Sequence, residues 1–311
     1  MKRAILLMNM GGPNNLDEVE LFLNNMFNDK HVINAPQPIR KILSKIITWQ
    51  RSGEAKANYM RLGGRSPIQA YTNKLISALE SKVDATVHMV MRYTPPFAKD
   101  VLYDLDDTDE IYAIPLYPHY SRTTTLSSMQ DLKDSITKQG IKAKVKTLSH
   151  YYKHPDYLQA IVNRIHEQLG NEDPREYELV FSAHGLPQSV IDEGDSYQRH
   201  IKYNLYHARR ALTQAGVHFH KTHLAYQSRL GPMEWIRPYL EDKLESLEKR
   251  KVIIYPIAFT MDNSETEFEL DIEYREIAEE LGFETYKVAK APNDDPAFVQ
   301  CIRSLYEDMK A

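Results

Sequence analysis

A single cysteine, Cys301, stands among 311 residues, so no internal disulfide can form. No Cys/His spacing of the kind that holds zinc or an iron–sulfur cluster is present either, and a reducing compartment is expected. Long apolar runs are missing as well: no window approaches the roughly 20 residues that a membrane span needs. The opening run Met1-Lys2-Arg3-Ala4-Ile5-Leu6-Leu7-Met8 resembles the start of a secretory signal but stops at Asn9, with Gly11 and Gly12 close behind. That is too short for an apolar region plus a cleavage site, and a cytoplasmic protein is expected. Nor is there an excess of positive charge. Lys and Arg total 39 against 43 Asp and Glu, for a net charge of −4, which offers no general attraction to nucleic acid or anionic lipid. Gly11-Gly12-Pro13 has neither of the glycine spacings that cradle phosphates, and its proline removes a donor amide, so nucleotide binding is set aside.

What the chain does have is apolar content, 42% hydrophobic over a length that favours two lobes over one. Short β-branched runs alternate with longer amphipathic stretches, the pattern of an α/β protein with parallel sheets covered by helices. Strands are expected at residues 3–9, 86–92, 111–117, 143–148, 178–183, 222–227, 252–259 and 284–288. Helices are expected at 16–27, 68–82, 126–138, 157–169, 198–215, 234–248 and 266–281. Four strands fall in each half, and Tyr151-Tyr152-Lys153-His154-Pro155 is a plausible crossing between them. The expected domains are residues 1–150, residues 151–290, and a C-terminal helix at 291–311 that packs back on the lobes. The halves also echo each other: Met8-Asn9-Met10-Gly11-Gly12-Pro13 and Ser182-Ala183-His184-Gly185-Leu186-Pro187 each end the first strand of their half. Open parallel sheets bind ligands at the carboxyl ends of their strands, so residues just after strands become candidates.

Two groups stand out on that ground. His184 follows the apolar strand Leu179-Val180-Phe181 and precedes a turn, which aims its imidazole outward from the strand end; a structural histidine is the alternative. Glu265, Glu269 and Glu273 recur every four residues after the apolar run 252–259. On an α-helix they would share one face, within an arc of about 80°. A solvated acidic face, favoured electrostatically at a helix N-terminus, explains them equally simply. Imidazole with carboxylates, and no thiolate, is also a donor set suited to ferrous iron.

Seven segments carry a resemblance when taken together. They are Asn9-Met10-Gly11-Gly12-Pro13, Gly63-Gly64-Arg65-Ser66-Pro67-Ile68, Met91-Arg92-Tyr93, Leu116-Tyr117-Pro118-His119-Tyr120-Ser121, Phe181-Ser182-Ala183-His184-Gly185-Leu186-Pro187, Gln227-Ser228-Arg229-Leu230-Gly231-Pro232, and Pro256-Ile257-Ala258-Phe259 with the Glu265 helix. In this order the chain resembles the ferrochelatases from residue 4 to about 290. The resemblance implies two Rossmann-like lobes, a porphyrin cleft between them, and a lyase-type metal chelatase that inserts Fe(II) with release of two pyrrole protons. By position, His184 and Glu265 correspond to the residues that contact iron or accept pyrrole protons, while Glu269 and Glu273 continue an acidic row. Met10, Arg92 and Tyr93 correspond to residues on the opposite porphyrin face, where distortion of the macrocycle exposes nitrogen lone pairs. Arg51 and Ser66 correspond to donors for the propionates.

Segment 30–51 corresponds to a lip over the porphyrin, with Ile39, Ile42, Leu43, Ile46 and Ile47 at helical spacing. It could instead cover a core, or make weak peripheral membrane contact. Iron enters as substrate, and no tightly bound cofactor is expected. The chain ends at Ala311 without the cysteine-bearing extension of animal members, so no iron–sulfur cluster is expected. Met10, where members that use coproporphyrin commonly carry tyrosine, favours protoporphyrin IX and hence protohaem. The alternatives are a chelatase for another metal or tetrapyrrole, such as coproporphyrin III or sirohydrochlorin, and a haem carrier with His184 as axial ligand.

Overall fold

The computed structural model describes all 311 residues and divides into two compact units, Met1–His150 with Ile302–Ala311, and Tyr151–Cys301. In the first unit the chain runs β1 (Arg3–Asn9), α1 (Val19–Phe27), α2 (Gln37–Arg61), α3 (Ile68–Glu80), β2 (Thr86–Met91), α4 (Ala98–Tyr103), β3 (Glu110–Pro115), α5 (Ser127–Gln139) and β4 (Lys144–Thr147). The strands form one parallel sheet in the order β2-β1-β3-β4. Ala4 to Met8 are sealed from solvent on both faces, as a continuous apolar run in an inner parallel strand must be. Alternation along β1 sends Ala4, Leu6 and Met8 into one layer with Ala98 and Leu102 of α4 and Leu132 of α5.

The second unit runs α6 (Pro155–Leu169), β5 (Glu178–His184), α7 (Gln188–Asp192), α8 (Tyr197–Gln214), β6 (Lys221–Gln227), α9 (Leu240–Glu245), β7 (Lys251–Pro256), α10 (Tyr274–Glu280) and β8 (Thr285–Val288). Its sheet, β6-β5-β7-β8, repeats the strand order of the first. Val180, Ala225, Val252 and Ile254 pack there against Leu240 and Leu244 of α9 and Ala278 of α10. The last helix, α11 (Pro296–Lys310), is divided between the units. Phe298 joins Tyr151 and Tyr157, whereas Tyr306 meets Tyr112 edge-on and donates its hydroxyl to Asp84 at 2.6 Å.

Four features depart from the sequence expectations. The helix expected at 234–248 shrinks to Leu240–Glu245, because Pro238 restrains the residue before it from helical geometry and gives up a donor. The helix that begins in the lip continues to Arg61: Gly53 costs only about 1 kcal/mol in a helix interior, too little to stop one of 25 residues. Two π-helical segments, Arg122–Leu126 and Glu265–Glu273, lie beyond the third strand of each sheet; the first precedes the helix expected at 126–138 and the second replaces the start of the one expected at 266–281. Finally, only part of the apolar surface of α2 covers a core: Tyr59, Ile47 and Ala55 pack on the Phe22 and Tyr93 cluster, but most of the lip residues do not. Ile39, Ile42, Leu43, Ile46 and Trp49 are exposed, and Ser44, Thr48 and Tyr59 are the buried ones.

Sequence reading also passed over Asp29, in the connection between α1 and α2. It is 3% exposed and accepts from Arg92 Nη2 at 3.0 Å, the Tyr93 hydroxyl at 3.0 Å, the His31 backbone at 2.8 Å and the Ser127 hydroxyl. Burial by itself would raise this carboxyl, but the Ser127 hydrogen bond, the Arg92 charge and the other donors outweigh it and hold it below its ordinary value. A carboxylate so depressed contributes stability above its unfolded pKa of about 3.9 and loses it as pH falls through the lower folded value. Asp29→Asn is therefore expected to cost about 2 kcal/mol at pH 7. Urea titrations of both proteins should show the difference narrowing only below about pH 4.

Candidate active site

His184 is the last residue of β5, and its position follows from a tight turn. The Gly185 amide bonds to the Gln227 carbonyl at 2.8 Å, and a Cβ at residue 185 would lie 2.8 Å from that same oxygen, so the close approach of these two strand ends requires glycine. The ring is partly exposed and stands edge-on to Phe259 with centroids 6.4 Å apart. Its Nδ1 lies 2.6 Å from the Gly185 carbonyl oxygen. A carbonyl can only accept, so Nδ1 carries the hydrogen, and Nε2 of the neutral ring presents a lone pair able to take a proton or ligate a metal. Behind it, the Tyr197 hydroxyl donates to the His184 carbonyl at 2.9 Å.

The carboxylate row begins at an Asn cap. Asn263 Oδ1 accepts from the Glu265 amide at 2.8 Å and the Thr266 amide at 3.3 Å, satisfying two donors that a helix start leaves over. The segment that follows bonds i to i+5, so residues four apart fall slightly short of a full turn rather than slightly past it. Glu265, Glu269 and Glu273 still share one face, and all three are half-buried while Glu276 is exposed. Irregular helix leaves carbonyls for other groups to satisfy: Gln227 Nε2 reaches the Glu265 carbonyl at 3.2 Å, and the Tyr286 hydroxyl reaches that of Leu270 at 2.8 Å.

Glu269 is the most constrained of the row. Its Oε2 accepts from Gln227 Nε2 at 3.0 Å and Ser228 Oγ at 2.5 Å, and Gln227 is itself oriented by the Ser182 hydroxyl, which donates to its Oε1 at 2.7 Å. Ser228 holds a left-handed backbone at φ 65°, which costs a non-glycine residue about 1–3 kcal/mol and gathers at functional sites. Burial raises the Glu269 carboxyl above its ordinary value; Ser228, Gln227 and the nearby His184 pull it back, and repulsion from Glu265 adds to the rise. Sequence reading quoted Gln227 and Ser228 only within a motif. Their place at the carboxyl end of β6, the strand beside His184, was the signal that could have singled them out.

In the first unit, Met10, Arg92 and Tyr93 meet where β1 and β2 end. The Arg92 amide bonds to the Asn9 carbonyl and the Tyr93 amide to the Met10 carbonyl, each at 2.9 Å. Met10 packs on a cluster that includes Phe22, Tyr59 and Tyr93. Arg92 is 23% exposed and spans Asp29, Ser127 and, at 3.6 Å, Asp131. Tyr93 differs from its expected placement on an open face: it is fully buried, edge-on to Phe22, with its hydroxyl on Asp29, and so backs Arg92 from within the core. Ser66 is 5% exposed, packed where a Cβ on Gly12 would touch its Oγ at 2.5 Å, with its amide on the Pro13 carbonyl at 2.7 Å. Arg51 is half-exposed midway along α2. No group of three or more His, Cys, Asp or Glu side chains converges at metal-binding spacing.

A raised carboxyl pKa gives a definite pH dependence. The folded state binds the Glu269 proton more tightly than the unfolded chain does, so this contribution to stability is complete below the unfolded value of about 4.3 and is lost as pH rises through the raised folded value. Glu269→Gln, permanently neutral, is expected to melt higher than the parent at pH 8. The two should converge as pH falls toward 4, while turnover drops by at least about tenfold.

The chain can be set against known proteins on this geometry. A family model described as ferrochelatase matches residues 2–310. A ferrochelatase of Nitratiruptor sp. is 47% identical over 311 residues, covering 99% of this chain and 100% of that one. One from Sulfurimonas denitrificans is 46% identical over 314 residues, covering 99% of each. Among solved structures, SirB from Bacillus subtilis with Fe3+ superposes with a TM-score of 0.59 over 100% of this chain and 96% of that one; at 11% identity this speaks for the fold alone. With the α/β fold shared and the sequence matched over nearly its whole length, the chain belongs to the ferrochelatase family.

Proposed function

We propose that the chain inserts ferrous iron into protoporphyrin IX, giving protohaem and two protons, with iron and porphyrin both as substrates and no resident cofactor or iron–sulfur cluster. Family membership supplies the reaction class, and the observation that carries the assignment of residues is the Nδ1–Gly185 hydrogen bond. It leaves Nε2 of His184 as a free lone pair beside a row of half-buried carboxylates. His184 takes a pyrrole proton on that lone pair. Glu265 contacts the metal. Glu269 and Glu273 accept or pass on protons, a task that suits a carboxyl raised by burial toward neutral pH.

For the macrocycle, Met10 provides an apolar contact and Arg92 a cation braced by Asp29, while Arg51 and Ser66 serve the propionates. Tyr93 acts through Asp29 and Arg92. The exposed Ile39, Ile42, Leu43 and Ile46 of α2 form an apolar lip suited to vinyl groups, and with Trp49, which is 80% exposed, to weak peripheral contact with a membrane. No helix is long and apolar enough to cross one. A reducing cytoplasm suits the single thiol, Cys301, which is buried.

Anaerobic assay with protoporphyrin and Fe(II), following the absorbance change to haem, tests the assignment. His184→Ala is expected to lose about 100-fold or more in turnover at unchanged melting temperature. Glu265→Gln should lose far more activity than Glu276→Gln, and equal effects would return the row to a solvated helix face. In the same assay protoporphyrin should be preferred over coproporphyrin III by at least roughly tenfold in kcat/KM, or ~1.4 kcal/mol, because two extra carboxylates against the isoleucine lip would lack partners. An equal or reversed preference would remove both the lip argument and the reading of Met10.

A further inference from the structure

The Asn263 cap that starts the Glu265 segment is held from outside. Its neighbour Asp262 is 3% exposed and engages Asn293, on the loop after β8, in a reciprocal pair. The Asp262 amide donates to Asn293 Oδ1 at 2.8 Å, and Asn293 Nδ2 donates back to Asp262 Oδ2 at 2.6 Å. The second Asp262 oxygen accepts from the Ala291 amide at 3.0 Å, and the Asn293 amide bonds to the Thr260 carbonyl at 2.8 Å. Asn293 is 1% exposed and adopts φ 51°, the left-handed region that asparagine tolerates better than other non-glycine residues. Four hydrogen bonds therefore staple residues 291–293 to residues 260–262, immediately before the cap that fixes the Glu265 amide.

We infer that Asp262 and Asn293 are positioning residues for Glu265, fixing where the π-helical segment starts and so where its first carboxylate stands. This rests on the reading of Glu265 as a group that meets the metal. Physically, a helix start with i to i+5 bonding has few hydrogen bonds of its own to define its origin, and the surrounding fold must supply the reference. A side chain displaced by about 1 Å from productive geometry can lose up to about 100-fold in rate. The Asp262 side chain acts through acceptors alone and the Asn293 side chain through one acceptor and one donor, so the pair is chemically reversible. With Asn at 262 and Asp at 293, every one of the four bonds can be remade.

The test is a swap cycle in the full-length chain: Asp262→Asn, Asn293→Asp, the double variant, and Glu265→Gln as reference. Iron insertion is measured as kcat and as KM for porphyrin, with melting temperatures alongside. Each single variant is expected to lower kcat by about ten- to a hundredfold with the porphyrin KM within about twofold, and the double variant to recover most of the kcat. If a single variant fails to fold, Asn293→Gly replaces it, since glycine keeps the left-handed backbone and removes only the side chain. Near-normal kcat in the singles or in Asn293→Gly, while Glu265→Gln is inactive, would overturn the positioning role and leave the reading of Glu265 standing. A double variant that is folded but unrescued would overturn it too. Near-normal turnover in Glu265→Gln would instead remove the reading on which the inference rests.

Discussion

The Glu269 carboxylate is largely drawn out of water and accepts from two neutral donors, the Gln227 amide and the Ser228 hydroxyl, near the His184 imidazole. That balance governs much of the second unit's architecture. Gln227 must be turned so that its amide faces the acid, which Ser182 secures; Ser228 must hold a left-handed backbone to reach the same oxygen. The helix must widen to i to i+5 bonding, and the Glu265 carbonyl then takes its hydrogen bond from Gln227. Each of these is locally unfavourable or unusual. Together they leave a carboxyl that binds a proton more readily than an exposed one.

Asp29 in the first unit is the counter-case. It too is buried, but a guanidinium, two hydroxyls and a backbone amide converge on it, and its pKa falls where that of Glu269 rises. Burial is common to both, and the difference lies in the number of donors, four on Asp29 against two on Glu269, and in the guanidinium among the four. A carboxylate held permanently ionised is a structural brace, here for Arg92. One whose charge is penalised is ready to exchange protons.

The lip helix reverses the usual economy of a surface helix. Ile39, Ile42 and Ile46 are about half exposed, and the residues buried beneath them include Ser44 and Thr48. Apolar side chains left in water forgo about 25 cal/mol per Å² of burial, an arrangement that makes sense where a flat apolar ligand or surface is to be met.

The strands were legible from residue order alone to within three residues, because a strand buried on both faces leaves a continuous apolar run that few other arrangements produce, as in Ala4–Met8 and Val252–Tyr255. His184 could be placed at a strand end for the same reason, since it directly follows such a run. The seven quoted segments carried the family. Residue order could not show that 265–273 is a π-helix, because a four-residue repeat keeps one face in either helix and the choice depends on what Asn263, Gln227 and Tyr286 do to its backbone groups. It could not distinguish Tyr93 in the core from Tyr93 on an open face. Nor could it give weight to Asp29, Ser228 or Asn293, each one polar residue among others in a connection. Their importance comes from partners 98, 41 and 31 positions away along the chain. Local pattern encodes which face is apolar, whereas hydrogen bonds between distant connections exist only once the sheets have brought those connections together.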